Sequence, residues 1–259
     1  DINLGASRRR VPRESQGPRP PNTRFSTATV RPPHSGTMAN MNPDPQEAPE
    51  RVVAGLLAAA EDFDIEACER LLADASARLD PLVLVRDVVS PVLREAGNRW
   101  HRGEFSVVQE HLLSGVVRRQ LSHALERCLV GSAGPAVLFT TLSGERHEMG
   151  GLMGAVVAAS RGYRSIFLGP DLPAAEIGRF CARRPVAALA LSLVTQPDVI
   201  DARTQLAELR QAVAADIEIW VAGQAAGLLA RESLPAGVAV IADLAGFLER
   251  LARLKARKA

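Results

Sequence analysis

Cysteine is scarce: Cys68, Cys128 and Cys181 lie far apart in 259 residues, with no Cys-x-x-Cys pair and an odd total. That excludes a disulfide framework and a thiolate zinc site, and fits a reducing cytoplasm. An excess of either charge is nearly missing as well, because 31 Lys and Arg oppose 29 Asp and Glu for a net +2. Such a balance argues against a generally basic nucleic-acid binder and against a polyanionic solvating protein. No apolar run approaches the roughly 20 residues of a membrane-crossing helix. The most apolar stretch, 150–160, is short and rich in Gly and Ala rather than Leu. The N-terminal Arg clusters lack the apolar core of a secretory signal, so secretion is not expected. Gly-x-Gly-x-x-Gly, the Walker A pattern, Gly-x-Ser-x-Gly and His-Glu-x-x-His are all missing. With them go most arguments for a dinucleotide, NTP, serine-hydrolase or zinc-protease site.

What is present divides into two materials. Residues 1–45 hold seven Arg against Asp1, Glu14 and Asp44, with eight of the 17 Pro, so this stretch is about +4 and the remainder about −2. Too few apolar residues stand there to offset the ordering entropy of a fold, and 1–45 reads as a disordered Arg/Pro-rich tail. A regulatory arm and an inert extension both fit it, and Met38 and Met41 at the composition break raise the hypothesis of a shorter translation product. The remainder is globular, since 47% hydrophobic residues can cover a sizeable core.

Residues 46–131 show apolar positions at helical spacing: Val53, Leu56, Leu57, Ala60; Ile65, Cys68, Leu71, Leu72; then Leu82, Val85, Val88, Val89, Val92. Four helices packed as a bundle are expected. The last opens at Ser106, with Gln109 completing a capping box, and runs past Leu121 and Leu125. Over 132–259 short apolar runs at 136–139, 165–168, 186–191, 217–221 and 238–241 alternate with helical segments near 148–161, 173–183, 198–214, 225–231 and 242–256. That alternation predicts a five-stranded, doubly wound parallel sheet of the flavodoxin or Rossmann kind, with ligands beyond the carboxyl ends of its strands.

Beyond the first expected strand stands Gly144-Glu145-Arg146-His147-Glu148-Met149-Gly150-Gly151. His147 falls at a loop-to-helix junction, and Glu145 is placed to hold its second ring nitrogen, as carboxylates do for metal-bound imidazoles. Gly150, Gly154 and Ala158 give the helix a smooth face. Taken alone, His147 also fits a helix-start residue in solvent, and Ser192 at the end of the third strand also fits a serine satisfying a neighbouring backbone group. Trp100 and the pair Glu110-His111 can meet at one end of the bundle, where they suit a flat ligand. Ordinary packing and a solvated face are the plainer alternatives. His34, His101 and His123 have no evident companions. Arg118-Arg119 and the 255–258 run read as solvated helix faces, and Cys128 and Cys181 as small apolar groups.

Glu145-x-His147-x-x-Gly150 resembles the Asp/Glu-x-His-x-x-Gly motif of cobalamin-binding domains. The resemblance implies base-off cobalamin with His147 as lower cobalt ligand and a nucleotide tail in the sheet domain. Ser192, Gly223 and Gln224 are similar to the family's tail-slot markers, as are Gly162 and the Leu168-Gly169-Pro170-Asp171-Leu172-Pro173 turn; Ala222 departs from the glycine often found there. Trp100-x9-Glu110-His111 is similar to the cap signature of cobalamin-dependent photoreceptor regulators of the CarH type. That likeness implies Trp100 and Glu110 around the cofactor's upper face and His111 as a possible upper cobalt ligand after light. The upper ligand implied is adenosyl, methyl, or hydroxo/aquo.

Regulators of that type carry a MerR-like DNA-binding domain before the cap, whereas here the Arg/Pro tail shows no helix-turn-helix pattern. The arrangement is most similar to antirepressors of the AerR type in purple photosynthetic bacteria, which bind photosynthesis-gene repressors of the CrtJ/PpsR type. The resemblance therefore implies a non-enzymatic, light-responsive cytoplasmic regulator with a protein partner, weak or indirect DNA contact through the tail's arginines, and no membrane. A corrinoid carrier of a cobalamin-dependent methyltransferase system and a flavodoxin-like scaffold without cofactor are the alternatives.

Overall fold

A computed structural model describes residues 48–195, 199–229 and 234–256. The expectation of a disordered tail over 1–45 lies outside them. Helix α1 (Pro49–Glu61) opens with a proline, whose fixed φ and missing N–H suit a first turn. It is followed by α2 (Ile65–Arg78), where the Asp64 carboxylate accepts from the Ala67 amide. Two further pieces, α3 (Pro81–Val83) and α4 (Ser90–His101), are joined through a π-helical segment, Leu84–Val89, into one rod. The widened turn stands just before Pro91, whose ring would press on the carbonyl four residues back in a regular helix. Helix α5 (Val107–Leu129) starts on the expected capping box: Ser106 and Gln109 bond reciprocally, and Gln109 Nε2 also donates to the Glu61 carbonyl at 2.8 Å.

The buried stripes largely follow the sequence pattern, with two corrections. Val52 rather than Val53 is the buried valine of α1. Ile65 is 44% exposed, since it sits in the first turn of α2 and borders an open groove beside Val107 and Val108 instead of the bundle core.

After α5 the chain alternates strand and helix: β1 (Ala136–Thr140), α6 (Met149–Ser160), β2 (Arg164–Phe167), α7 (Ala174–Arg183), β3 (Ala188–Ser192), α8 (Val199–Ala212), β4 (Glu218–Ala222), α9 (Ala226–Leu229), β5 (Val238–Ile241) and α10 (Leu244–Ala256). Every pairing is parallel and the order is β2-β1-β3-β4-β5, with Leu138 opposite both Ile166 and Leu189. Strand order reverses between β1 and β3, and the crevice above their carboxyl ends is where such sheets bind ligands. Side chains alternate cleanly. Val137, Phe139, Ala188 and Trp220 face α6 and α10, while Leu138, Leu189, Ile219 and Val221 face α7 and α8.

One core runs unbroken from α1 to the sheet through α6, which is covered by α5 outside and by β1 and β3 inside. A helix covered on both sides along most of its length must be apolar nearly all round, which accounts for the Gly/Ala-rich run at 150–160. Among the described residues no helix is long and apolar enough to cross a membrane.

Candidate functional site

The β1 end, the loop after it and the turn after β2 are laced together. Thr141 Oγ1 donates to the Glu145 carbonyl and accepts from the Asp171 amide at 2.8 Å, and the Asp171 carboxylate accepts from the Gly144 amide at 2.9 Å. Thr140 Oγ1 donates to the Gly169 carbonyl at 2.7 Å. Held in this loop, Glu145 is 1% exposed and accepts from five donors. Its Oε1 takes the His147 amide at 2.8 Å and His147 Nδ1 at 2.7 Å. Its Oε2 takes the Val194 amide at 2.7 Å, the Thr195 amide at 2.8 Å and the Thr195 hydroxyl at 2.9 Å. Burial would raise its pKa, but the backbone and side-chain hydrogen bonds outweigh that and bring it down to about 2.

An ionised carboxylate accepts only, so Nδ1 of His147 donates the hydrogen of this bond and Nε2 is the nitrogen turned away from Glu145. No described residue bonds Nε2, and the His147 side chain is 56% exposed. The expected orientation of His147 by Glu145 is thus present in the geometry, and the loop after β3 contributes to it through Val194 and Thr195. Those two residues, and Thr141, escaped sequence reading. A threonine just past a strand carries no distinguishing pattern until the fold brings it to a carboxylate.

Beside this pair lies a narrow approach of α6 to β3. A Cβ on Gly150 would come within 2.9 Å of Ser192 Oγ, and that hydroxyl is buried with no hydrogen-bond partner among the described residues. An orphaned buried hydroxyl beside a glycine-lined gap fits a polar ring edge entering between helix and strand. Gly223 takes φ 113°, and a Cβ there would meet the Leu193 carbonyl oxygen at 2.4 Å, so a side chain would drive the β4 loop off the β3 end. Gln224 is exposed beside it. Gly154, by contrast, packs on the Phe139 ring, so the lower part of the smooth face serves the sheet.

In the helical half, α4 ends at His101 and α5 begins at Val107, which leaves Trp100 and the Glu110-His111 pair at the same end of the bundle. Trp100 is 47% exposed, so the core-packing alternative for it does not hold. Its ring meets His101 edge-on at 4.8 Å between centroids, and His101 Nδ1 donates to the Gly97 carbonyl at 2.7 Å; His101 therefore has the companions its sequence context did not reveal. Glu110 Oε2 is 2.6 Å from His111 Nδ1, and the His111 side chain is 74% exposed. No ring contact or hydrogen bond joins Trp100 to His111 among the described residues. Arg118 and Arg119 are exposed, as expected of a solvated helix face, and both are also paired: Arg118 Nε donates to Glu148 and Arg119 Nη2 to Glu69 at 2.5 Å.

Residues 52–125, the bundle from α1 to α5, match the family described as B12 binding domain. The chain is 34% identical over 171 residues to the HTH-type transcriptional repressor CarH of Myxococcus xanthus, covering 66% of this chain and 57% of the relative. It is 33% identical over 125 residues to the HTH-type transcriptional repressor CarA of the same organism, covering 48% of this chain and 42% of that one. The chain carries a B12 binding domain and is homologous to CarH and CarA. It spans about half the length of these curated relatives. A stretch of 171 residues in a chain of 259 includes residues 89–171 wherever it begins, so the CarH likeness takes in both the Trp100 to His111 and the Glu145 to His147 regions. Among solved structures, a monomethylamine corrinoid protein of Methanosarcina barkeri superposes with a TM-score of 0.64 at 13% identity, covering 80% of this chain and 100% of that one. That likeness shows a shared fold.

Proposed function

We propose that this chain is a non-enzymatic, light-responsive transcription regulator of the cytoplasm, an antirepressor that binds cobalamin and acts on a repressor of the CrtJ/PpsR type. The observation that carries the cofactor reading is the Glu145–His147 pair at the sheet's switch point, which leaves Nε2 of an outward imidazole available. Among the described residues no group of three or more His, Cys, Asp and Glu is arranged to hold a bare metal ion. A cobalt ion already held by its own macrocycle would need few ligands from the protein, and a single oriented imidazole would suit it. His147 would hold the lower position, with Glu145 fixing its tautomer. Ser192, Gly150, Gly223 and Gln224 would receive the nucleotide tail, whereas Trp100, Glu110 and His111 would face the cofactor from the cap. Bound cobalamin with an alkyl upper ligand supplies a bond that light breaks.

His111 is the proposed light-state residue: Glu110 holds its Nδ1, and its other nitrogen has no described partner. A ligand available in only one state supplies the free-energy difference that a two-state cap needs. Support for a regulator over a corrinoid carrier comes from the names of both sequence relatives, which are repressors.

The test is the absorption spectrum of the purified protein with adenosyl-, methyl- and hydroxocobalamin, in darkness and after illumination, for wild type, His147→Ala and His111→Ala. The expected result is a base-off, histidine-ligated spectrum in wild type that His147→Ala loses. His111→Ala should alter only the illuminated spectrum and the light-dependent affinity for the repressor. An unchanged spectrum in His147→Ala sinks the cofactor assignment, and light-independent repressor binding by wild type sinks the switch.

A further inference from the structure

The helical half is tied to the sheet half by two ion pairs among the described residues, one at each end of α6. At the far end Arg161 Nη2 lies 3.9 Å from Asp80 Oδ1, with both side chains about half exposed. At the near end Arg118 of α5 donates to Glu148, the residue next to His147. The two are not equivalent. The Glu148 side chain is only 14% exposed; its second oxygen is buried without a hydrogen-bond partner among the described residues, and a Cβ on Gly169 would stand 3.8 Å from that oxygen. Arg118 is thus the only cation paired with this nearly buried carboxylate among the described residues. An exposed pair contributes little, but a carboxylate removed from water is costly to leave alone.

Position along α5 gives the contact its consequence. The helix ends at Leu129, where the chain passes to β1 at Ala136, so that end is tied covalently. Arg118 lies about 16 Å up the helix from Leu129, and His111 about 10 Å farther along the same face, at 1.5 Å per residue. Between those ends the Arg118–Glu148 pair is a polar pin, set beside the His147 loop and added to the apolar packing of α5 on α6.

We infer that Arg118 is a positioning residue: by pairing with Glu148 it holds the cap helix in register over His147. The inference rests on the cobalamin reading for what the register serves, but the pin itself exists without cofactor. The experiment compares full-length wild type, R118M, E148Q, R118K and the charge swap R118E/E148R. Without cofactor, hydrogen exchange is followed in peptides covering 107–118 and 142–150. With hydroxocobalamin, the release rate and the spectrum are recorded. Exchange in both peptides should rise about tenfold in R118M and E148Q while the melting temperature stays within about 2 °C, because local opening changes and global unfolding does not. R118K should recover part of the loss and the swap most of it. Cofactor release should quicken about tenfold with the histidine-ligated spectrum retained, since His147 is untouched. Wild-type exchange rates in R118M and E148Q, or a swap no better than the two single changes combined, overturn the pin. If wild type takes up no cobalamin, the cofactor reading fails while the exchange data still decide the pin.

Discussion

Two glycines at the site separate fold from ligand binding at single positions. Alanine at residue 150 gains helix propensity and presses only on the Ser192 hydroxyl, which can rotate away. Gly150→Ala is therefore expected to keep stability within about 1 kcal/mol of wild type yet weaken cobalamin binding about tenfold or more, read by urea denaturation and spectral titration. Gly223→Ala meets backbone at φ 113° and should cost on the order of 1–3 kcal/mol in the same denaturation. Equal effects of the two on stability would argue against the slot at Gly150. The cysteines offer a pH test. Burial pushes the Cys181 thiol up to about 11 from an ordinary 9.0. Because the neutral form is the one preferred in the folded state, this group's contribution is full below pH 9 and is lost as pH rises towards 11. Iodoacetamide mapping by mass spectrometry at pH 8 should label the partly exposed Cys128 before the buried Cys181 and Cys68.

Among the elements, α5 unites the helical half with the site, and its start depends on one reciprocal cap. Removing the Ser106 hydroxyl leaves the Gln109 amide without its partner, while Gln109 continues to reach the Glu61 carbonyl. Ser106→Ala should lower stability by about 1 kcal/mol in thermal or denaturant unfolding. A loss indistinguishable from zero would mean that the Gln109 to Glu61 bond alone positions the helix start. Helix α6 owes its composition to its neighbours: with α5 on one side and the sheet on the other, it is wetted only near its ends and leaves little room for charges.

For the molecule as a whole, the continuous core has a direct consequence. Leu152, Val156 and Ala159 of α6 belong to the same buried cluster as Leu113, Val117 and Leu121 of α5. The segment 132–259 expressed alone would bare that surface. It is expected to bind the dye ANS and to lose near-UV circular dichroism relative to the full chain. A fragment with native dichroism and no dye binding would show that the sheet half closes its own core.

Much of this protein was legible in sequence because it is written in local periodicity and local chemistry. The four helical stripes, the Ser106 cap and the alternation of strands and helices each depend on residues a few positions apart, and the structure keeps them with small shifts such as Val52 for Val53. Glu145 and His147 are two residues apart, so a bond between them could be expected from spacing alone. What required tertiary structure are the meetings of distant residues. The donors of Val194 and Thr195 on Glu145, the hydroxyl of Ser192 against Gly150 and the pairing of Arg118 with Glu148 join positions 30 to 50 residues apart. No local pattern encodes these meetings; they arise because parallel strand order brings the ends of β1 and β3 side by side and lays α5 across α6.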